Sequence, residues 1–158
     1  MPNSHQGEDD ARGLRFAVVV SRYNDFITKP LLDGCVATLT AKGATDSEID
    51  VYWVPGAFEI PLLAQRAAQS GRYDAVICLG AVILGETDHY RLVADATASG
   101  IARVGLDTGI PCIFEVLATP TTELAVARAG GDAGNKGEEA ALAAIETVRV
   151  LKSVPAAE

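Results

Sequence analysis

The sequence predicts an α/β domain in which a mainly parallel, four-stranded sheet lies between layers of helices. Three observations carry that reading. Short β-branched apolar runs recur along the chain, amphipathic helical patterns stand between them, and the strand runs are apolar nearly throughout. Strands apolar on both sides suit a sheet covered on both faces, and strand–helix alternation is the mark of βαβ units.

Taken in order, Arg15–Val20 (RFAVVV) reads as a buried strand. A helix is expected from about Thr28 to Lys42, where Leu31, Leu32, Cys35, Val36 and Leu39 fall at helical spacing. Pro30 suits its first turn and Gly43 its stop. Asp50–Val54 (DVYWV), ended by Pro55-Gly56, is the second strand; a helix over about Phe58–Ser70 follows, with Pro61 confined to its first turn. Ala75–Leu79 is the third strand. A long loop leads to a helix over Tyr90–Asp107, with Val93, Thr97, Ile101 and Val104 on one face. Cys112–Leu117 (CIFEVL) is the fourth strand, and helices over about Thr121–Ala129 and Asn135–Leu151 flank the glycine-rich GGDAGN. Right-handed crossovers then favour a flavodoxin-like, three-layer αβα sandwich. Residues 14–158 are expected to form this one domain behind an N-terminal arm, residues 1–13.

Composition bounds the function. The 158 residues are 49% apolar and 22% charged, with mean hydropathy +0.20, which is too apolar for a disordered chain. The longest apolar run, Ala75–Leu84, is broken by Gly80 and falls short of the ~20 residues of a membrane helix. Thirteen basic against 21 acidic residues give a net charge of −8, the wrong balance for tight nucleic-acid binding. A local cradle can still hold a phosphorylated small molecule. Cys35, Cys78 and Cys112 lie in apolar stretches without CxxC pairing and read as small hydrophobes in a reducing compartment. The N-terminus, MPNSHQGEDDARG, lacks the apolar stretch of a signal peptide, so a cytoplasmic location is expected. This arm is either a flexible tail or a segment that pairs with a neighbour.

Ligands of open parallel sheets bind beyond the carboxyl ends of the strands. There the sequence places Ser21-Arg22-Tyr23-Asn24, Pro55 through Glu59, Gly80 through His89, and the stretch after Phe114. Gly85 before a helix start can aim backbone N–H groups at an anion, whereas Glu86 and Asp88 equally suit a plain first turn. His89, the one histidine outside the arm, is either a proton carrier near neutral pH or a solvated helix-start residue. Tyr23 and Phe58 can face a planar heterocycle while Asn24 and Glu59 read its polar edges; Phe58 can also be simple core. Arg128 can grip a phosphate bidentately or sit as a solvated helix-end charge. These residues alone point to an α/β domain binding an anionic small molecule.

SRYNDFIT, VPGAFEIP, GAVILGETDHY and RAGGDAGNKGEEAALAAIE, in this order and spacing, resemble the 6,7-dimethyl-8-ribityllumazine synthase family from about Leu14 to Leu151. The resemblance implies condensation of 5-amino-6-(D-ribitylamino)uracil with 3,4-dihydroxy-2-butanone 4-phosphate, the penultimate step of riboflavin biosynthesis, without metal or organic cofactor. It implies that Tyr23 stacks on the pyrimidine, where the family usually has Phe. Ala57, Phe58 and Glu59 would bind the ribityl chain, and Ala81, Val82 and Ile83 the uracil edge. Glu86 and Thr87 would hold phosphate, with His89 as the proton-transfer residue. Phe114 and Arg128 would come from a neighbouring subunit, Arg128 to the phosphate, and Lys136 would reach the uracil.

The family forms pentamers, some stacked twelve together as sixty-subunit shells that can associate with riboflavin synthase. The compact GGDAGNKG turn leans toward the shell. Leu84, Arg91-Leu92 and Glu115 depart from the family pattern of a basic residue, an acidic–aromatic pair and a glycine. The rival reading is a non-catalytic flavin- or lumazine-binding shell protein, but a shell alone needs none of His89, Arg128 and Lys136. A flavodoxin would need a Ser/Thr/Gly-rich loop after the first strand, and a receiver domain clustered acids; SRYN is neither.

Overall fold

The computed structural model describes residues 1–157; Glu158, the last residue of the expected domain, lies outside them. In chain order the elements are β1 (Phe16–Ser21), α1 (Asp25–Ala41), β2 (Ile49–Val54), α2 (Ile60–Gln69), β3 (Ala75–Ile83), α3 (His89–Thr108), β4 (Cys112–Thr119), α4 (Thr122–Arg128), β5 (Ala129–Gly131), β6 (Gly134–Asn135) and α5 (Lys136–Ser153). The main sheet has the order β2-β1-β3-β4, and every neighbouring pair in it is parallel. This is the three-layer α/β architecture the alternation predicts.

Alternation along β1 sorts the two cores. Phe16, Val18 and Val20 pack with Leu31, Cys35, Ala141 and Ile145 of α1 and α5, while Ala17 and Val19 pack with Ile60, Ala64 and Ile101 of α2 and α3. All six residues of β1 are buried, as a central strand covered on both faces requires. Because β1 lies between β2 and β3, its connection leaves to one side and that of β2 crosses to the other. The carboxyl ends of β1 and β3 therefore flank the topological switch point. Among the described residues, no helix is long and apolar enough to cross a membrane.

The structure corrects several expected boundaries. α1 begins at Asp25 rather than near Thr28, so Pro30 lies inside the helix and not in its first turn. The earlier start comes from Asn24, whose carbonyl accepts from the N–H groups of Ile27 and Thr28 at 2.9 and 3.0 Å. β3 does not stop at Leu79. It runs on through Gly80 to Ile83, paired with Val116–Thr119 of a correspondingly longer β4. Gly80 is a packing glycine and not a break, since a β-carbon there would lie 3.0 Å from Ser21 Oγ and 3.2 Å from Val116 Cγ1. The glycine-rich turn closes a small antiparallel hairpin, β5–β6, where the sequence predicts only a connection between two helices.

The arm, too, is tied down at its base. Arg149 donates to the carbonyls of Asp10 and Arg12, each at 2.9 Å. Ala11 is fully buried and donates to the Lys42 carbonyl, and Lys42 Nζ meets Asp9 at 2.6 Å. These bonds fasten residues 9–13 across the ends of α1 and α5, so a fully flexible tail does not describe that stretch.

Candidate active site

An open cavity of about 780 Å³ lies at the switch point. Its walls come from four chain segments that leave the carboxyl ends of β1, β2 and β3. Tyr23 follows β1. Ala57, Phe58 and Glu59 follow β2 in a short 3₁₀ turn. Ala81, Val82 and Ile83 form the end of β3, and Thr87 and His89 stand at the start of α3. Nine of the sequence-derived candidates thus meet in one concavity, a size suited to small-molecule ligands. Phe58 and Tyr23 are 62% and 74% exposed, so Phe58 presents its ring to the cavity instead of filling the core.

The loop before α3 has the features of an anion cradle. Leu84 N–H still extends the sheet, donating to Thr119 O at 3.0 Å. Among the described residues, the N–H groups of residues 85–88 then make no hydrogen bond within the chain. Unpaired donors at the positive end of a long helix are ready for phosphate. Gly85 and Thr87 line the cavity, whereas Glu86 between them is exposed and does not. Glu86 is thus not brought into the cavity lining, and its carboxylate adds no charge there. Thr87 Oγ1 accepts from His89 N–H at 3.3 Å where α3 begins, and His89, itself exposed, lines the cavity.

Three candidates stand apart. Phe114 pairs with Cys78 on β3, three positions before Ala81, about 10 Å at ~3.3 Å per strand residue. Arg128 ends α4, its Nη1 donating back to the Leu124 carbonyl at 3.0 Å. Lys136 opens α5 and pairs with Glu139 at 3.1 Å. None of the three lines the cavity, and neither does any other lysine or arginine. Near Lys136, the half-buried Glu115 carboxyl is raised above its ordinary value by burial; Lys136 opposes the shift and Glu139 adds to it.

The cavity also holds residues beyond those nine candidates. Tyr90, Leu92 and Val93 extend the apolar wall behind His89. Leu92 and Val93 stand three and four positions after His89 and so share its helix face, a spacing the sequence displays. Pro55 and Gly56 complete the turn after β2. Asn24 lines the cavity as well, but its amide is committed: Nδ2 donates to Ala81 O at 2.9 Å. The cysteines take no part. Burial pushes the Cys35 thiol up to about 12 and that of Cys112 to about 11, and raises Cys78 well above its ordinary value, so none supplies a thiolate.

A concave site at the switch point, two aromatic faces, a free N–H cradle and one rim histidine can hold a planar heterocycle beside a phosphate and move protons between them. Residues 13–152 match the family described as 6,7-dimethyl-8-ribityllumazine synthase. With nearly its whole length inside that match, the chain belongs to the 6,7-dimethyl-8-ribityllumazine synthase family, and its function is that of a lumazine synthase, a transferase of riboflavin biosynthesis.

Proposed function

We propose that the chain condenses its two substrates in a cavity completed by a neighbouring copy, within a closed pentameric ring. The observation that carries this is the charge of the lining. The phosphorylated ketone brings about two negative charges, yet the cavity walls contain Glu59 and no lysine or arginine. The N–H groups of residues 85–88 supply neutral donors, and the missing cation is Arg128, which this chain carries on its β4 side together with Phe114 and Lys136. In a head-to-tail ring, that side of one copy faces the cavity of the next.

Within the completed site, Tyr23 stacks on the pyrimidine, and Ala57, Phe58 and Glu59 hold the ribityl chain. Ala81, Val82 and Ile83 meet the uracil edge, with Phe114 and Lys136 of the neighbour closing over it. Glu86 and Thr87 bind phosphate through backbone N–H groups. The pyrimidine's 5-amino nitrogen attacks the ketone carbon, and loss of water gives an imine. The C–O bond to phosphate then breaks, phosphate departs with the electron pair, and ring closure with loss of water completes the heterocycle. Each step moves a proton, and His89 at the rim both supplies and removes them. Much of the remaining acceleration comes from holding two substrates in one orientation. The turn at GGDAGNKG carries no insertion, which favours stacking of twelve such rings into a shell able to accommodate riboflavin synthase, in the cytoplasm. The arm, residues 1–13, precedes one catalytic domain.

The test is kinetic, following appearance of the lumazine chromophore with pure protein. His89→Ala is expected to slow turnover by roughly tenfold to a hundredfold, the lower part of the general acid–base range. Arg128→Ala is expected to raise KM for the phosphorylated ketone about tenfold or more, the pyrimidine much less, as a charge-assisted contact implies. Unchanged KM would leave Arg128 as a cap on the Leu124 carbonyl and nothing else.

A further inference from the structure

We propose that Asn24 is a positioning residue for this reaction, holding the turn that carries Tyr23 against the end of β3 and so setting the gap between the two walls of the cavity. The inference rests on the roles given above to Tyr23 and to Ala81–Ile83. Asn24 is the one non-glycine residue with positive φ among those described, at φ 64° and ψ 44°. Asparagine tolerates this left-handed conformation better than most residues, and such outliers persist only where the surroundings hold them.

The surroundings here are three separate ties. On one side the backbone continues the ladder to β2, with Arg22 N–H donating to Val54 O at 2.7 Å and Tyr23 N–H to Pro55 O at 2.9 Å. Below, Thr28 Oγ1 donates to Ser21 O at 2.7 Å. On the other side, across the crevice between β1 and β3, Asn24 Nδ2 donates to Ala81 O at 2.9 Å. Among the described residues this is the only side-chain hydrogen bond between the turn and the end of β3. Ala81 is nearly fully buried, so its carbonyl is one that folding must pair.

Tyr23 cannot set its own position. The residue is 74% exposed, too little packed to be held by contacts, so the place of its ring over the cavity follows from the backbone that bears it. Asn24 fixes that backbone twice, through its left-handed conformation and through its amide. Replacement by glycine keeps the first and removes the second.

The experiment compares Asn24→Gly with the parent enzyme in full-length protein, measuring Tm, kcat and KM for each substrate. Asn24→Gly is expected to retain its fold and to raise KM for the pyrimidine about tenfold, the effect of one lost hydrogen bond. KM for the phosphorylated ketone should change by less than about twofold. In a Tyr23→Ala background the same substitution should have little further effect, because both changes act through one ring. An unchanged pyrimidine KM, a lowered Tm with unchanged KM, or full additivity with Tyr23→Ala would each overturn the proposal and leave Asn24 a helix cap. If Asn24→Gly loses its fold, Asn24→Asp takes its place, since it tolerates the same backbone but cannot donate to Ala81 O when ionised. Absence of any turnover by the parent enzyme would instead overturn the reading of the site itself.

Discussion

Gly137 in the first turn of α5 lies so close to α1 that a β-carbon on it would stand 1.9 Å from the carbonyl oxygen of Leu31. Asn135 secures the same junction from both ends. Its Oδ1 accepts from Gly137 N–H at 2.8 Å, and its Nδ2 donates to Pro30 O at 3.1 Å. The AGNKG segment is thus a helix-docking device that also sets where Lys136 emerges. Gly137→Ala should destabilise the protein by about 3 kcal/mol, the upper end for overpacking, because the obstacle is backbone and cannot rotate away. Urea denaturation reads this directly; a change under about 0.5 kcal/mol would mean the helices separate freely.

Ser21→Ala should have the opposite sign. Ser21 is 1% exposed, and among the described residues its hydroxyl alone is buried without a partner. Its oxygen, with Ile60 Cδ1 and Val116 Cγ1, crowds the place a β-carbon on Gly80 would take. Removing an unsatisfied buried hydroxyl should leave stability unchanged or raise it by up to about 1 kcal/mol. A loss of that size would show that a bound water satisfies it.

The fold was legible because the physics of β1, β3 and the helices is local. RFAVVV is apolar on both faces, and Leu31, Cys35 and Leu39 mark a helix by spacing alone. The end of β3 was not legible, since Gly80 reads as a break unless its crowding by Ser21 and Val116 is known. The left-handed cap at Asn24 was equally hidden, because it depends on Ala81, far along the chain. In the site, position after a strand marks the residues around His89, and helical spacing puts Leu92 and Val93 on its face, whereas nothing local ties Tyr90 to the cavity. Phe114 and Lys136 carry no local mark of the roles proposed for them, which rest on the resemblance, whereas Arg128 stands out by its own chemistry beside the glycine-rich turn.

Glu115 should make stability depend on pH. Its folded-state pKa is raised above the ordinary 4.5 by burial, so its favourable contribution is complete below the unfolded value and is lost as pH rises through the folded one. Glu115→Gln removes the titration. The stability difference between variant and parent should therefore move in the variant's favour as pH climbs from about 4.5 toward 7. Parallel pH profiles by chemical denaturation would mean that Lys136 fully offsets the burial.

The shared site is tested most directly by mixing. His89→Ala and Arg128→Ala subunits are denatured, co-assembled, confirmed as mixed oligomers by mass spectrometry and assayed at ketone concentrations well below KM, where each variant alone is weakly active. If every site takes His89 from one copy and Arg128 from the next, some sites in the mixture are intact, and turnover should rise well above either parent. Mixed oligomers no more active than their parents would contradict the account and return Arg128 to its own chain.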